Sequence, residues 1–149
     1  MLKRSDTIHF VTFFFGLLDP KSGQMDYFNA GHNPPLLLLK DQDPQELMVT
    51  GMPLGLMPGA TYTQASVTLP ENCMLCLFSD GIPEALVDEE FYGEDRLMDS
   101  ARERCRMDLE EVIDGVFEDL RTFVNDAPLD DDATLLLLRR CGHEGTTDL

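Results

Sequence analysis

The sequence predicts an α+β fold in which antiparallel β-sheets are flanked by two helices. Apolar runs of strand length, separated by glycine- and proline-containing turns, fill most of the chain before Pro83. Two segments with helical spacing of apolar residues follow, and a last apolar run comes after them. Strands grouped ahead of helices are typical of α+β rather than of alternating α/β folds.

The strands are predicted in chain order from their apolar patterns. Residues 8–18 are apolar on both alternating faces, which predicts a central strand covered on both sides. Residues 19–23 carry turn chemistry, so this strand and the next one, 24–30, are expected to form a hairpin. Further strands are expected at residues 36–39, 65–69, 73–78 and 133–138.

The first apolar run has one competing interpretation, because Lys3 and Arg4 precede it as in a secretory signal. Asp6 and His9 interrupt the approach, however, and no small-x-small cleavage site follows. The run is also shorter than the ~20 residues that a membrane-spanning helix needs. A strand is therefore the favoured interpretation.

Two helices are expected after Pro83. The first covers residues 94–106, with apolar side chains on one face. The second has the clearer periodicity, begins after Asp108 and ends near Asn125. Asp108 followed by Glu111 is a capping-box variant that marks its start, and Pro128 prevents its continuation.

Composition restricts the function classes. The formal net charge is −17, from 28 acidic and 11 basic residues. Such a surface repels nucleic acid and anionic lipid, so neither nucleic acid nor a membrane is expected as a partner. If the chain acts on a phosphorylated substrate, it needs divalent cations to neutralise its own site.

Two of the four cysteines, Cys73 and Cys76, are interpreted as structural. Cys73 and Cys76 have C-x-x-C spacing, but they lie in a predicted strand, where residues three apart point to opposite faces. They are therefore expected to be buried thiols rather than metal ligands. With Cys105 and Cys141 they are too sparse for a disulfide scaffold, and a reducing, cytoplasmic location is expected.

Two acidic sites at strand boundaries are the candidates for chemistry. Asp80 ends the 73–78 strand and is followed by Gly81, which permits a close backbone turn. Asp130, Asp131 and Asp132 precede the last strand, and their carboxylates repel one another unless a cation or solvent relieves them. Hard oxygen ligands suit Mg²⁺ or Mn²⁺. An exposed acidic loop without metal is the simpler alternative for the triplet.

The pattern Asp130-x-Asp132-x-Thr134 also matches the nucleophile motif of haloacid-dehalogenase-like phosphatases. That chemistry places the aspartates after an apolar strand. Here the apolar run follows the motif, and a helix end precedes it. The order of elements argues against this family.

Six motifs occur in one order along the chain, and together they resemble the SpoIIE/RsbU branch of the metal-dependent (PPM, or type-2C) serine/threonine protein phosphatases. The motifs are Val11-Thr-Phe-Phe-Phe-Gly-Leu-Leu-Asp19, Asn29-Ala-Gly-His-Asn-Pro-Pro35, Pro53-Leu-Gly-Leu56, Ser79-Asp-Gly-Ile-Pro-Glu-Ala85, Phe91-Tyr-Gly-Glu94 and Asp130-Asp-Asp-Ala-Thr134. The resemblance implies part of a PPM-type α-β-β-α sandwich. It also implies hydrolysis of phosphoserine by a water that two Mn²⁺ or Mg²⁺ ions activate.

By this resemblance Asp80 and Asp131 are metal ligands, and Asp130 or Asp132 could replace Asp131 in that role. His32 lies in a turn typical of the branch and is expected to be structural. Glu84 and Thr134 fit roles in orienting the ligands and their loop. No catalytic residue is expected beyond the metal ligands.

The resemblance covers only the later part of the family's domain, since the motifs that supply its other metal ligands are not found before Val11. Residues 1–140 are therefore expected to be the C-terminal portion of a phosphatase domain, and 141–149 a flexible tail. The expected partners are a phosphorylated protein, such as an anti-sigma-factor antagonist, an upstream sensor or receiver domain, and a second copy in a homodimer. The alternative is an inactive, phosphatase-like binding or regulatory module.

Overall fold

The chain divides into two compact units in a computed structural model that describes residues 9–40 and 42–142. The first unit comprises Met1–His32 and Met48–Thr68, and the second Asn33–Leu47 and Leu69–Leu149. Each unit contains its own antiparallel sheet. The predicted tail from residue 141 lies almost wholly outside the described residues, and its flexibility stays a prediction, as does the extent of the predicted domain.

The first unit contains a three-stranded sheet of β1 (Phe13–Leu18), β2 (Gln24–Ala30) and β5 (Ala65–Thr68), in the order β1-β2-β5. The predicted hairpin is confirmed, because β1 pairs antiparallel with β2 across the 19–23 turn. In that turn the Ser22 hydroxyl donates to the Asp19 carboxylate at 2.7 Å.

The prediction that residues 8–18 form a central, doubly covered strand is wrong. Strand β1 starts at Phe13, Val11 forms only an isolated bridge to Leu54, and residue 8 lies outside the described residues. Among the described residues β1 is an edge strand that pairs with β2 alone, and its apolar side chains remain exposed: Leu17 is 67% exposed. Apolar periodicity shows which side chains of a strand could be buried, whereas the neighbouring elements determine which of them are buried.

The second unit contains a four-stranded antiparallel sheet in the order β4-β3-β6-β9 and a small two-stranded ribbon. Strands β3, β6 and β9 correspond to predicted strands, whereas β4 and the ribbon were not predicted because each of their strands has only two residues. The sheet strands are β3 (Leu36–Leu38), β4 (Gln45–Glu46), β6 (Met74–Phe78) and β9 (Leu135–Arg139), and the ribbon strands are β7 (Leu86–Val87) and β8 (Glu90–Phe91).

Both predicted helices are present, α1 at Gly93–Glu103 and α2 at Leu109–Phe123. The predicted capping box starts α2, where the backbone N–H of Asp108 donates to Glu111 Oε2 at 3.2 Å. The helix ends before Asn125, whose positive φ of 53° leaves the helical region.

The largest apolar core lies in the second unit, between its sheet and its two helices. The alternating face of the sheet and the inner faces of both helices supply side chains that are almost fully buried, which stabilise this unit by removing apolar area from water. These include Leu36, Leu38, Met74, Cys76 and Phe78 from the sheet and Leu97, Ala101, Val112, Val116 and Leu120 from the helices. This confirms that the helices pack on one face of the sheet. In the described part of the chain, no helix is both long enough and apolar enough to cross a bilayer.

Candidate metal centre

The two predicted acidic loops meet at one edge of the second sheet. Strands β6 and β9 are antiparallel neighbours, and Phe78 at the end of β6 pairs with Leu135 at the start of β9. The segment that follows β6 and contains Asp80 therefore lies beside the segment that leads into β9. Antiparallel pairing thus places Asp80 and the 130–132 triplet at the same edge.

Ser79 fastens the two loops together. Its backbone N–H donates to the Thr134 carbonyl at 3.0 Å, which extends the ladder by one residue. Its hydroxyl donates to the Asp132 carbonyl at 2.9 Å and accepts from the Thr134 N–H at 2.8 Å. Ser79 was part of a predicted motif, but the sequence assigned it no role. A contact between two residues that are 55 positions apart leaves no local sequence signal.

Gly81 allows the closest approach between the loops. A Cβ atom built on Gly81 would lie 2.5 Å from the Asp132 carbonyl oxygen. No side chain fits at that distance, and the neighbour is backbone, which cannot rotate away as a side-chain tip could. Gly81 was expected to permit a close backbone turn, and in the structure its lack of a side chain lets the 130–132 loop approach it.

The turn after Asp80 is held by backbone hydrogen bonds and by one buried side chain. The Glu84 N–H donates to the Asp80 carbonyl at 2.9 Å, and the Ile82 N–H donates to the Ser79 carbonyl at 3.2 Å. The Ile82 side chain is fully buried, which anchors the turn to the core. Glu84 and Thr134 thus hold the two loops through their backbone N–H groups, and their predicted role in orienting metal ligands stays a prediction.

The four carboxylates at this edge are exposed to solvent. Asp131 Oδ1 accepts from the Asp132 N–H at 2.7 Å, which fixes one oxygen toward its own loop. Within residues 9–40 and 42–142, none of Asp80, Asp130, Asp131 and Asp132 forms an ion pair with a basic side chain. Unneutralised oxygen donors of this kind fit a hard divalent cation.

The described residues at this edge do not form a complete metal site. Among the described residues no three histidine, cysteine, aspartate or glutamate side chains are grouped as a metal site. The structure brings together the loops of Asp80 and Asp131; that their carboxylates address one cation stays a prediction, as does the choice of Asp131 over its two neighbours.

His32 belongs to a turn in the first unit. Its backbone N–H donates to Asn29 Oδ1 at 2.9 Å, and Asn29 is fully buried. The Asn29 carbonyl in turn accepts from the N–H groups of Thr50 and Gly51 at 2.8 and 3.1 Å. These bonds hold the backbone of the turn, and that the His32 side chain is structural rather than catalytic stays a prediction.

The thiols predicted to be structural are buried. Cys73, Cys76 and Cys105 are buried and free, and Cys141 is exposed and free. Burial raises the pKa of the Cys76 thiol to about 12. Burial also raises the pKa of Cys73, which a hydrogen bond and the charge of Arg140 partly oppose. A thiolate at Cys76 is therefore strongly disfavoured at neutral pH.

We expect Cys141 to be alkylated at least about tenfold faster than Cys76 in the native protein, because only an accessible thiolate reacts. Intact-mass spectrometry after timed exposure to a maleimide would measure this, with peptide mapping to assign the site. Unfolding in guanidinium should remove the difference. Equal labelling in the native state would contradict the burial of Cys76.

The comparisons with known proteins agree with the fold and the motifs. The sequence model of the family described as stage II sporulation protein E (SpoIIE) matches residues 1–141. The chain is 30% identical over 139 residues to protein IcfG of Synechocystis and 29% identical over 136 residues to the phosphoserine phosphatase RsbU of Bacillus subtilis. It covers 93% and 91% of its own length in these matches but only 22% and 40% of theirs.

Solved phosphatase domains have a similar fold. The SiaA PP2C domain of Pseudomonas aeruginosa superposes with a TM-score of 0.69 at 21% identity, over 80% of this chain and 47% of that one. The SpoIIE phosphatase domain of B. subtilis gives 0.64 at 18% identity, over 90% of this chain and 60% of that one. The fold is thus that of PP2C-type phosphatase domains. The chain belongs to the SpoIIE family.

Proposed function

We propose that this chain forms part of a metal-dependent phosphatase that hydrolyses phosphoserine on a protein in bacterial signalling. The observation that carries the proposal is the edge at which Ser79 and Gly81 hold the Asp80 loop against the 130–132 triplet. Similarity to a phosphoserine phosphatase supports the same chemistry. The alternative of an inactive binding module is not favoured, since relatives with named activities are phosphatases.

In this proposal Asp80 and Asp131 hold Mn²⁺ or Mg²⁺. When bound, the cations supply the positive charge that a phosphate ester requires and activate a water for attack on phosphorus. The protein's part is to present oxygen ligands from two loops at a fixed spacing. The Ser79 hydroxyl sets this spacing because it bonds one loop to the other. Without the cations, the exposed carboxylates at this edge would repel a phosphorylated substrate.

The substrate class and the context belong to the same proposal. A phosphorylated protein, such as an anti-sigma-factor antagonist, is the proposed substrate, and a sensor or receiver domain is the proposed regulator in a longer protein. A cytoplasmic location fits the free, buried thiols. The test is release of phosphate from a phosphoserine protein by the longest natural form of this protein. Dependence on added Mn²⁺ would support the proposal, and no release at any Mn²⁺ concentration would overturn it.

The 149 residues alone are expected to release phosphate at a rate close to the uncatalysed background, even with abundant Mn²⁺. The reason is that one edge of carboxylates can hold a cation weakly, whereas a two-metal clamp needs more ligands than the described residues gather. Phosphate release should be measured at equal molar concentrations of this chain and of the longer protein. Turnover at an ordinary enzymatic rate by the 149 residues would show that they assemble a complete site.

The 149-residue chain is also expected to self-associate through β1. This strand is uncharged and exposes Phe13, Phe15 and Leu17, and no other strand of residues 9–40 and 42–142 pairs with its second backbone edge. A second copy can pair with that edge and cover the apolar face. Light scattering should report dimers or larger species at micromolar concentration, and Leu17→Lys should reduce them. Leu86→Lys, which replaces an exposed leucine in the other unit, is the matched control. A monodisperse monomer of the unmodified chain would contradict this prediction.

A further inference from the structure

The guanidinium of Arg96, on α1, lies where the ribbon, the start of α1 and the end of α2 meet in the second unit. Its Nη1 donates to the carbonyls of Phe91 and Tyr92, each at 2.9 Å, and its Nη2 pairs with the Glu90 carboxylate. Its Cζ lies 5.0 Å from the centroid of the Phe123 ring, a cation–π contact. The same ring meets the Tyr92 ring edge-on, with centroids 5.4 Å apart. One side chain thus joins the second ribbon strand to the end of α2.

The ribbon side of this contact leads directly to the Asp80 turn. The Tyr92 N–H donates to the Ala85 carbonyl at 2.8 Å. The Gly93 N–H donates to the Pro83 carbonyl at 2.9 Å. The residue between these two acceptors donates its own N–H to the Asp80 carbonyl at 2.9 Å. Consecutive backbone bonds therefore connect the carbonyls that the guanidinium holds with the turn that carries the Asp80 carboxylate.

The α2 side of the contact leads to the 130–132 triplet. The Ala127 N–H donates to the Val124 carbonyl at 3.0 Å, so the chain that leaves the helix turns back on its last residues. Val124 is buried in the core, and Leu129, directly before the triplet, packs against the same core. A shift at the end of α2 is therefore expected to move the triplet as well.

We propose that Arg96 is a positioning residue for the acidic edge, the edge of the second sheet at which Asp80 and the 130–132 triplet meet. Ser79 joins the two loops directly. Arg96 joins the segments beside them, the ribbon that follows Asp80 and the helix that precedes the triplet. Ligands that are held in place before a metal arrives bind it more tightly, because less order is lost on binding. The inference rests on the proposed function, in which both loops supply metal ligands.

Arg104 makes a comparable contact between the same two helices, at the other end of α1. Its Nη1 donates to the Ser100 carbonyl at 2.9 Å and pairs with Asp119 on α2, also at 2.9 Å. The next residue, Cys105, accepts at its carbonyl from Arg139 Nη2 at 2.9 Å. Arg139 ends β9, whereas the acidic edge lies at the start of that strand. Arg104 is therefore a matched control: an arginine that joins α1 to α2 away from the acidic edge.

The experiment is a Mn²⁺ titration of the 149-residue chain, followed by electron paramagnetic resonance, for the unmodified chain, Arg96→Gln and Arg104→Gln. Arg96→Gln is expected to raise the Mn²⁺ dissociation constant at least about threefold, less than the about 10–100-fold typical of groups that contact a metal ligand. Arg104→Gln should stay within about twofold of the unmodified chain. Each variant removes one positive charge, which by itself would favour Mn²⁺ binding. Weaker binding in Arg96→Gln alone would therefore come from the position of the loops.

Asp80→Asn in the same titration separates this inference from the proposed function. If Asp80→Asn removes the binding but Arg96→Gln and Arg104→Gln have equal effects, the metal site stands and the role of Arg96 is wrong. If the unmodified chain binds no Mn²⁺ that Asp80→Asn removes, the acidic edge holds no metal and both are wrong.

Arg96→Lys is the second variant if Arg96→Gln does not fold by circular dichroism. Lysine keeps the charge, but its single nitrogen cannot replace the two terminal nitrogens that contact two carbonyls and Glu90. Weaker Mn²⁺ binding is therefore still expected, whereas unchanged binding in folded Arg96→Lys would overturn the inference.

Discussion

Replacing Asp80 by Asn in the longest natural form of this protein is expected to lower Mn²⁺-dependent phosphate release by a hundredfold or more, an order-of-magnitude estimate from the charge stabilisation that the metal supplies. Asparagine keeps the size of the side chain but removes the charge that attracts the cation. Because Asp80 is exposed and its loop is held by backbone bonds, the fold should be preserved. The measurement is phosphate release from a phosphoserine protein across a range of Mn²⁺ concentrations.

Asp114→Asn is the matched control for this prediction, since it removes one exposed carboxylate from α2, away from the acidic edge. Its activity should stay within about twofold of the unmodified protein, because surface charges far from the metal are screened by salt. If Asp80→Asn retained the activity of this control, the assignment of Asp80 as a ligand would be wrong.

The same substitution made in turn at Asp130, Asp131 and Asp132 distinguishes the three members of the triplet. The carboxylate that binds metal should show the loss seen for Asp80→Asn, and its two neighbours a smaller one. We expect the largest loss at Asp131. A loss confined to Asp130 or Asp132 would move the ligand by one position and leave the rest of the site intact.

Local pattern was enough to predict much of the fold. The limits of β2 follow from apolar alternation between two turns, and the start of α2 follows from Asp108 and Glu111. Both features depend on residues within a few positions of one another. Core placement of Cys76 was likewise predictable, because it lies inside a continuous apolar run.

Features that depend on distant partners were not predictable. The burial of β1 depends on which strands flank it. Its apolar sequence predicted packing partners on both faces, which the described residues do not provide. Ser79 bridges to Asp132 and Thr134, and nothing near it in sequence indicates this. The position of the acidic loops at strand ends was visible in the sequence, but the contacts that hold them together were not.

Replacing Gly81 by Ala is expected to weaken Mn²⁺ binding at the acidic edge although no carboxylate is removed. The new methyl group would lie 2.5 Å from the Asp132 carbonyl oxygen, so one loop must move away from the other. That movement strains the Ser79 hydroxyl bonds at 2.9 and 2.8 Å and costs about 1–3 kcal/mol of folding free energy, as overpacking does elsewhere.

Two measurements separate this effect from general destabilisation: chemical denaturation for the free energy of unfolding, and Mn²⁺ titration followed by electron paramagnetic resonance under native conditions. The matched control is Gly142→Ala, whose Cβ would meet the tip of the Glu71 side chain at 3.1 Å, a neighbour that can rotate away. The control should lose less than about 0.5 kcal/mol of folding free energy, as surface substitutions usually do.

Because Gly81 offers no ligand atom from a side chain, weaker Mn²⁺ binding in folded Gly81→Ala would mean that the spacing of the two loops sets the affinity. Unchanged Mn²⁺ binding would instead mean that the Asp80 and 130–132 loops hold metal independently, and that their contact serves only the fold.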